Sequence, residues 1–346
     1  MDFLKGDVMI YSNVELYNVH ETVEDVARPG EKILCRIPET LRKSLNAKAM
    51  ISALASPGAE IRFNLLGDKA AITLRDTAEN EVPALVEVYQ GGFFLQAYTI
   101  GTEPTTFTVC RHEMTDMLSA ISLDQGMSFD IELFRVILPW RPPCRLIRIE
   151  GYTAPPRPEQ TPHAKYLAYG SSITHGQTAV RPTGTYTMRV AQLLEADLVN
   201  IGFGGGAHLE PGMADYIAAR QDWQFASLEM GINLIASVSP DEFEHCVTYF
   251  ISTIARAHPD KWVFCIDLFP SYWDYQAGSK ADHFRAVVRA AVGKLNRPKV
   301  VYLAGRDMLT LTTGLTADLL HPSPSGMEQI ARNMAFRMSE AMDGKK

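Results

Sequence analysis

The first 155 residues contain short apolar runs rich in Val, Ile, Phe, Tyr and Thr, and several runs alternate between apolar and polar positions. Alternation with a period of two is typical of strands that bury one face. Gly, Pro, Asn and Asp separate the runs, and no long helical period interrupts them. This half is therefore predicted to be an antiparallel β-sandwich, with a jelly roll as one form. The predicted strands are residues 60–67, 70–76, 84–92, 93–101, 105–112, 128–140 and 145–153.

The pattern changes at a proline-rich stretch, APPRPEQTPH, at residues 154–163. Four prolines in these ten residues are incompatible with a helix or a central strand. We therefore expect a linker at 156–163. It would join a β-sandwich domain at 1–155 to a second domain at 164–346.

In the second half, compact apolar runs alternate with longer stretches of helical character. Runs of this kind are typical of strands buried on both faces, as in a parallel sheet. Alternating strands and helices predict a three-layer α/β/α domain, in which ligands bind beyond the carboxyl ends of the strands. The predicted strands are residues 165–170, 197–202, 225–231, 262–269 and 299–305, and the predicted helices are residues 186–196, 211–219, 240–257, 281–296 and 325–342.

Composition narrows the classes of partner. The 346 residues carry a net charge of −7, which argues against nucleic acid or an anionic membrane, since both require a basic face. The five cysteines form no CxxC pair, so we expect reduced thiols. The N-terminus, MDFLKGDVMIY, does not resemble a signal peptide, and no apolar run approaches the ~18 residues of a membrane span. We expect a cytoplasmic protein, and the sequence leaves its oligomeric state open.

Candidate catalytic residues follow the predicted strands of the second half. Ser172 comes after the first strand, Gly205 after the second and Asn233 after the third, while Asp318 and His321 precede the final helix. A serine hydroxyl needs a base to become a nucleophile, and an imidazole titrates near neutrality. A carboxylate three residues before the histidine could fix its tautomer. The N–H groups of residues 172 and 205 and the amide of residue 233 could stabilise an oxyanion.

Four motif blocks occur in order between residue 165 and about residue 340: GSSIT, NIGFGGG, GIN and DLLHP. Together they resemble the SGNH (GDSL-like) hydrolase family. The resemblance implies a catalytic triad of Ser172, His321 and Asp318, with Ser172, Gly205 and Asn233 as the oxyanion hole. Two positions depart from the family pattern. Ser171 stands where the family usually has Asp, and Leu234 stands where an Asp often follows the Asn.

A β-sandwich before an SGNH domain is similar to some carbohydrate esterases and to some related acyltransferases. The resemblance implies a serine esterase that hydrolyses small acyl esters, acetyl esters above all, on a small molecule or a carbohydrate. An acyltransferase that uses the same acyl-enzyme is the first alternative. A carbohydrate-binding module with a degenerate hydrolase half is the second, although the intact triad argues against it.

Several residues keep two interpretations. His175 and His208 flank the motifs and could contact substrate or be ordinary loop residues. Tyr272 and Trp273 follow the fourth predicted strand and could stack on a sugar or an aryl group, or pack against the sandwich. The stretch GFGGGA also fits a dinucleotide fingerprint, but the acidic residue expected at the end of the next strand is misplaced. No HExxH motif or carboxylate cluster has metal-ligand spacing, so we expect neither a metal nor a cofactor.

Overall fold

The computed structural model describes residues 8–77, 84–141 and 143–344. Residues 1–7, part of the N-terminal segment that does not resemble a signal peptide, lie outside the described residues. The described chain forms a ten-stranded antiparallel sheet followed by a five-stranded parallel sheet with helices on both faces. This arrangement confirms the predicted fold class. Among the described residues, every helix is too short or too polar to cross a membrane.

The antiparallel sheet is built around one long strand. Its ten strands are β1 (Met9–Tyr11), β2 (Val14–Tyr17), β3 (Glu21–Glu24), β4 (Lys32–Cys35), β5 (Glu60–Arg75), β6 (Ala84–Gln90), β7 (Phe93–Ile100), β8 (Thr105–Cys110), β9 (Leu133–Ile137) and β10 (Arg145–Ala154). Strand β5 pairs with β9 through residues 60–64 and with β8 through residues 69–74. The sheet thus folds around a core to which β5 contributes Ile61, Phe63 and Ile72.

The long strand differs from the two strands predicted at 60–67 and 70–76. The polar sequence between them, Gly67-Asp68-Lys69, reads as a turn, but it stays extended because each half of β5 has its own partner strand. The prediction at 128–140 is also too long. Asp130 accepts a hydrogen bond from the backbone N–H of Glu132 at 2.7 Å, and this local turn delays the start of β9 to Leu133.

Three short helices of this half have no counterpart in the predictions. They are α1 (Glu39–Arg42), α2 (Ala47–Ser52) and α3 (Thr115–Asp124). Helices α1 and α2 are too short to show a helical period in the sequence. In α3 the apolar side chains of Met117, Ile121 and Leu123 are exposed, so no buried stripe marks it.

The parallel sheet has the strand order β12-β11-β13-β14-β15. Its strands are β11 (Lys165–Gly170), β12 (Asp197–Gly202), β13 (Phe225–Glu229), β14 (Trp262–Ile266) and β15 (Val300–Leu303). The helices of this part are α4 (Ser172–His175), α5 (Tyr186–Leu193), α6 (Pro211–Ala219), α7 (Pro240–Ala257), α8 (Ala281–Leu295), α9 (Gly305–Met308) and α10 (Pro324–Met342). The predicted spans of β11, β12, α6 and α7 agree with the structure residue for residue.

Alternating side chains of the parallel strands enter two separate cores. In β11, Leu167 and Tyr169 pack in the core with α6, α7 and α8, while Tyr166 and Ala168 pack in the core with α5 and α10. This burial on both faces explains why the strands read as continuous apolar runs. Helix α7 begins sharply because Ser239 and Glu242 form a capping box, with Pro240 in the first turn.

The two sheets are joined by buried polar contacts. Arg62 of β5 donates two hydrogen bonds, of 2.7 and 2.6 Å, to the carboxylate of Asp197 at the start of β12. Glu60 accepts hydrogen bonds from both Arg62 and Arg135 at 2.6 to 2.8 Å. In the predicted linker, Gln160 is buried and exchanges two hydrogen bonds with Asn64. The linker therefore lies fixed against β5.

Candidate active site

The predicted nucleophile lies directly after the first parallel strand. Strand β11 ends at Gly170, and Ser172 is the first residue of the single-turn helix α4. The hydroxyl of Ser171 caps this turn by accepting the backbone N–H of Ile173 at 3.2 Å. Strand β11 lies between β12 and β13, where the strand order reverses, which is the edge at which open α/β sheets bind ligands.

The structure brings Ser172, His321 and Asp318 into one hydrogen-bonded chain. Ser172 Oγ lies 2.8 Å from His321 Nε2, and His321 Nδ1 lies 2.6 Å from Asp318 Oδ2. In this orientation the Nδ1–H group donates to the carboxylate, which leaves Nε2 as the acceptor for the serine proton. These are the contacts that a serine needs in order to become a nucleophile.

The Asp318 carboxylate is held by its own loop. Oδ1 accepts hydrogen bonds from the Thr316 hydroxyl at 2.7 Å and from the backbone N–H groups of Leu320 and His321 at 2.8 and 2.9 Å. Partial burial would raise the pKa of Asp318, but these hydrogen bonds and that of the His321 side chain outweigh it and hold the pKa well below its usual range. Asp318 is therefore a carboxylate at neutral pH.

The motifs NIGFGGG and GIN lie beside the turn at residues 171–175, which is called the nucleophile turn below. Gly205 has a φ of +69°, a conformation that glycine adopts without strain. The backbone N–H of Phe203 donates to the carbonyl of Gly170 at 2.8 Å, so this loop lies against the end of β11. Asn233 Oδ1 accepts the backbone N–H of Ala207 at 3.1 Å. This hydrogen bond connects the Asn233 side chain to the loop that contains Gly205.

The loop between β12 and α6, at residues 203–210, is called the glycine loop below. Helix α2 of the N-terminal half lies on this loop, a contact that the sequence did not predict. Ser52 Oγ accepts the backbone N–H of Gly204 at 2.8 Å, and Asn46 Nδ2 donates to the carbonyl of Gly206 at 2.9 Å. A Cβ at Gly206 would lie 2.4 Å from the backbone nitrogen of Ala49, so only glycine allows this approach. The Lys48 side chain passes over Gly205, where a Cβ would lie 2.9 Å from its Cδ. Capping residue Asn46 was the only local signal for this helix.

The sequence left His175 as either a substrate contact or a loop residue, and the structure places it in the buried interior instead. Its side chain is 5% exposed, and Nδ1 lies 3.1 Å from the carbonyl oxygen of Gly202 and 3.2 Å from Ser52 Oγ. Burial, together with the nearby Arg36 guanidinium, lowers the pKa of His175 to about 3. We therefore correct His175 to a neutral structural residue that connects α4, the glycine loop and α2.

The other candidate contacts lie on loops of the same edge. His208 is half-buried in the glycine loop. Tyr272 and Trp273 are half-buried neighbours with ring centroids 5.1 Å apart, and Trp273 also packs against the core with α7 and α8. The backbone N–H of Tyr272 donates to the carbonyl of Leu319 at 2.6 Å. This hydrogen bond connects the loop that carries Tyr272 and Trp273, called the aromatic loop below, to the turn between Asp318 and His321.

The glycine loop does not have the geometry of a dinucleotide site. In that fold the glycine-rich turn opens directly into a helix whose N-terminus binds the pyrophosphate. Here α6 begins only at Pro211, after the loop has docked against α2. Within the described parts of the chain, no three His, Cys, Asp or Glu side chains are grouped to hold a metal ion.

Comparison with known families agrees with this geometry. A family model described as GDSL-like lipase/acylhydrolase matches residues 164–338, which is half of the chain. The chain belongs to this family. The protein is therefore an enzyme of the SGNH hydrolase type. No curated protein sequence matches it.

Solved structures with the same fold include members with related activities. A salicylyl-acyltransferase from a tetracycline biosynthetic pathway, SsfX3, is 17% identical with a TM-score of 0.79, and the match covers 100% of this chain and 99% of that one. A family two carbohydrate esterase from Cellvibrio japonicus is 15% identical with a TM-score of 0.60, covering 84% and 90%. Another from Clostridium thermocellum, solved with cellohexaose, is 16% identical with a TM-score of 0.58, covering 84% and 94%.

Proposed function

We propose that this GDSL-family enzyme is a serine esterase that hydrolyses small acyl esters, acetyl esters above all, through an acyl-enzyme on Ser172. The observation that carries the proposal is the continuous chain from Ser172 Oγ to His321 Nε2 at 2.8 Å and from His321 Nδ1 to Asp318 Oδ2 at 2.6 Å. No further group is needed to activate the serine hydroxyl.

In the first half-reaction, Ser172 Oγ attacks the ester carbonyl while its proton passes to His321 Nε2. The carbonyl oxygen becomes an oxyanion, which accepts hydrogen bonds from the N–H groups of Ser172 and Gly205 and from the amide of Asn233. His321 then gives its proton to the leaving alcohol, and the acyl group remains on Ser172. Asp318 keeps the imidazole in its orientation and stabilises the imidazolium.

In the second half-reaction, His321 takes a proton from water, and the hydroxide attacks the acyl-enzyme. The same oxyanion donors act again, and the acid leaves as Ser172 recovers its proton. In the first half-reaction His321 accepts the proton of Ser172, and in the second it returns a proton to Ser172, so the same residues serve both half-reactions.

An acylated carbohydrate is the substrate class that we favour. The carbohydrate esterases from Cellvibrio japonicus and Clostridium thermocellum share the fold, and the second was solved with a glucan chain. Tyr272, Trp273 and the exposed Tyr275 form an aromatic loop beside the Asp318–His321 turn. Aromatic faces there would stack on a sugar ring.

Acyl transfer is the second candidate. The salicylyl-acyltransferase covers this chain from end to end, including the N-terminal sheet. The chemistry differs only in the second half-reaction, where an acceptor hydroxyl replaces water at the acyl-enzyme. Helix α2, which lies on the glycine loop, is the element that could form part of an acceptor site.

The test is hydrolysis of p-nitrophenyl acetate by the wild type, by Ser172→Ala and, as a control, by Ser252→Ala, which changes a half-buried serine of α7 outside the proposed triad. We expect the wild type and the control to turn over, and Ser172→Ala to lose on the order of 10⁴-fold or more in kcat, as removal of a triad member does. Equal turnover by all three enzymes would contradict the assignment of Ser172.

Adding an alcohol or sugar acceptor to the same assay separates hydrolysis from transfer. Free acetate as the main product supports the esterase, whereas an acylated acceptor as the main product supports the transferase. A glycan array tests the alternative of a carbohydrate-binding module. Tight binding of a glycan by the wild type, without hydrolysis of any ester, would favour that alternative.

A further inference from the structure

A buried carboxyl group that the proposed mechanism does not use lies beside the turn at residues 171–175, which carries Ser172. Glu229 is the last residue of β13 and is 1% exposed. Strand β13 runs parallel to β11 with Leu228 opposite Tyr169, so the next residue, Glu229, lies beside Gly170 and the start of the turn. A carboxyl group in such a place is costly unless it is well hydrogen-bonded, and so it requires an explanation.

The Glu229 carboxylate holds the turn on both sides of Ser172. Oε2 accepts the backbone N–H of Ser171 at 2.6 Å and the hydroxyl of Thr174 at 3.2 Å. These two residues are the one before the nucleophile and the one two positions after it. A shift of the carboxylate would therefore move the backbone that sets the direction of Ser172 Oγ towards His321.

Gly170 makes room for this contact. A Cβ at Gly170 would lie 2.6 Å from Glu229 Oε2, 2.8 Å from Glu229 Cβ and 2.2 Å from Thr174 Oγ1. The φ of Gly170 lies outside the left-handed region, so its backbone conformation does not require glycine. The close approach of the Thr174 and Glu229 side chains does require it.

We propose that Glu229 is a positioning residue for Ser172, and that it supplies from the neighbouring strand the carboxylate that the first motif lacks at Ser171. The family usually has Asp at that position, whereas here the Ser171 hydroxyl caps α4 and the Ser171 N–H donates to Glu229. The carboxylate has moved from the turn itself to the strand beside it. This inference rests on the proposed role of Ser172 as the nucleophile.

The inference is tested by removing the carboxyl group at position 229 and introducing one at position 171. Four proteins are compared with the wild type: Glu229→Gln, Ser171→Asp, the double variant, and Glu103→Gln as an exposed control. Glu229→Gln keeps the size of the side chain but replaces its carboxyl group by an amide. Ser171→Asp alone places two carboxylates in contact. The double variant has one carboxylate again, now at 171, where Asp can still cap the turn.

We expect Glu229→Gln to lower kcat for p-nitrophenyl acetate by about 10- to 100-fold, with KM within about twofold, because misplacing a reacting group costs this much. Ser171→Asp should be at least as slow. The double variant should be faster than either single variant, while Glu103→Gln matches the wild type. A double variant no faster than Glu229→Gln, or a Glu229→Gln variant within about twofold of the wild-type kcat, would overturn the inference.

The rate of covalent labelling of Ser172 by a fluorophosphonate keeps this test separate from the ester assay. Labelling needs only a correctly placed serine and its base, so the same order of rates is expected even if acetate esters are not substrates. A wild type that is neither labelled nor active would overturn both the proposed function and this inference. Melting temperatures of the four variants show whether a loss of rate is a loss of fold, and recovery in the double variant is a result that unfolding would not produce.

Discussion

At the residue scale, the contact between Asp318 and His321 depends on the four-residue turn that they enclose. Leu319 has a φ of +52°, which is uncommon for a side chain larger than Asn or Asp. This conformation lets the chain reverse between Asp318 and His321, so that the carboxylate faces both the backbone N–H and the Nδ1 of His321. The carbonyl of Leu319 accepts the backbone N–H of Tyr272. The aromatic loop thus supports the turn from the opposite side.

The low pKa of Asp318 predicts how its contribution to stability depends on pH. The pKa is lower in the folded chain than the usual 3.8, so the carboxylate stabilises the fold at neutral pH, and this stabilisation is lost as pH falls below the usual value towards the folded one. Asp318→Asn should therefore lower the melting temperature at pH 7, and the difference from the wild type should stay constant down to about pH 5 and shrink as pH falls from about 4 to about 2. Thermal melts across this range check it.

Asp260→Asn, at an exposed turn, is the matched control for that series. It replaces an aspartate outside the site and should leave the melting temperature close to that of the wild type throughout. A difference between Asp318→Asn and the wild type that grows as pH falls would contradict the account of Asp318.

At the element scale, helix α2 acts as a support for the glycine loop. It contacts the loop at three consecutive glycines: through Ser52 at Gly204, through Lys48 at Gly205, and through Asn46 and Ala49 at Gly206. The helix has only six residues, so these contacts, more than its own hydrogen bonds, hold it in place. The N-terminal half thereby forms part of the wall of the candidate active site.

Two alanine substitutions in this loop test the docking of α2. Gly206→Ala places a Cβ 2.4 Å from the backbone of Ala49, so the helix and the loop must separate. We expect a clear fall in melting temperature and a loss of kcat for p-nitrophenyl acetate of at least about tenfold, since the oxyanion donors move with the loop.

Gly204→Ala is the control for the same loop. There a Cβ meets only Ser52 Oγ, at 3.7 Å, which is an ordinary contact, and the φ of Gly204 lies outside the left-handed region. The melting temperature should stay close to that of the wild type. Equal melting temperatures for Gly204→Ala and Gly206→Ala would mean that α2 is not packed on the loop as described.

At the scale of the whole molecule, the two sheets are connected by a buried ionic network. Arg62 bridges Glu60 of its own strand and Asp197 of the parallel sheet, and all three side chains are at most 2% exposed. Its guanidinium also stacks over the ring of Tyr17 at 3.5 Å. Such a network contributes less to the free energy of unfolding than its charges suggest, because burying the charges is costly. The removal of one partner, however, leaves an uncompensated charge in the interior.

Arg62→Met should therefore destabilise the protein by about 3 to 5 kcal/mol. Asp197 loses its partner in this variant, and Glu60 keeps only Arg135. Arg148→Met is the comparison, because the Arg148–Glu150 pair is 61% and 52% exposed and should contribute less than about 1 kcal/mol. Urea unfolding of both variants measures the difference. Similar losses in the two would contradict the assigned role of the buried network.

The sequence alone was sufficient for the fold class and for the spans of several elements. Strands β11 and β12 and helices α6 and α7 match their predicted spans because each carries a local signal, such as a continuous apolar run or a capping box. The predictions failed where the signal was not local. The polar centre of β5 reads as a turn, and α2 is too short to show a period. The division into domains at 155 and 164 stays a prediction.

The order of the four motifs along the sequence was enough to predict that their residues lie close together, because the carboxyl ends of parallel strands meet at one edge of a sheet whatever the side chains between them. Only the tertiary structure decided that His175 is buried, that α2 lies on the glycine loop and that Glu229 faces the nucleophile turn. Ser52 and His175 are 123 positions apart, and Ser171 and Glu229 are 58 apart. Contacts over such distances leave no periodicity or spacing in the sequence, since the packing of whole elements creates them.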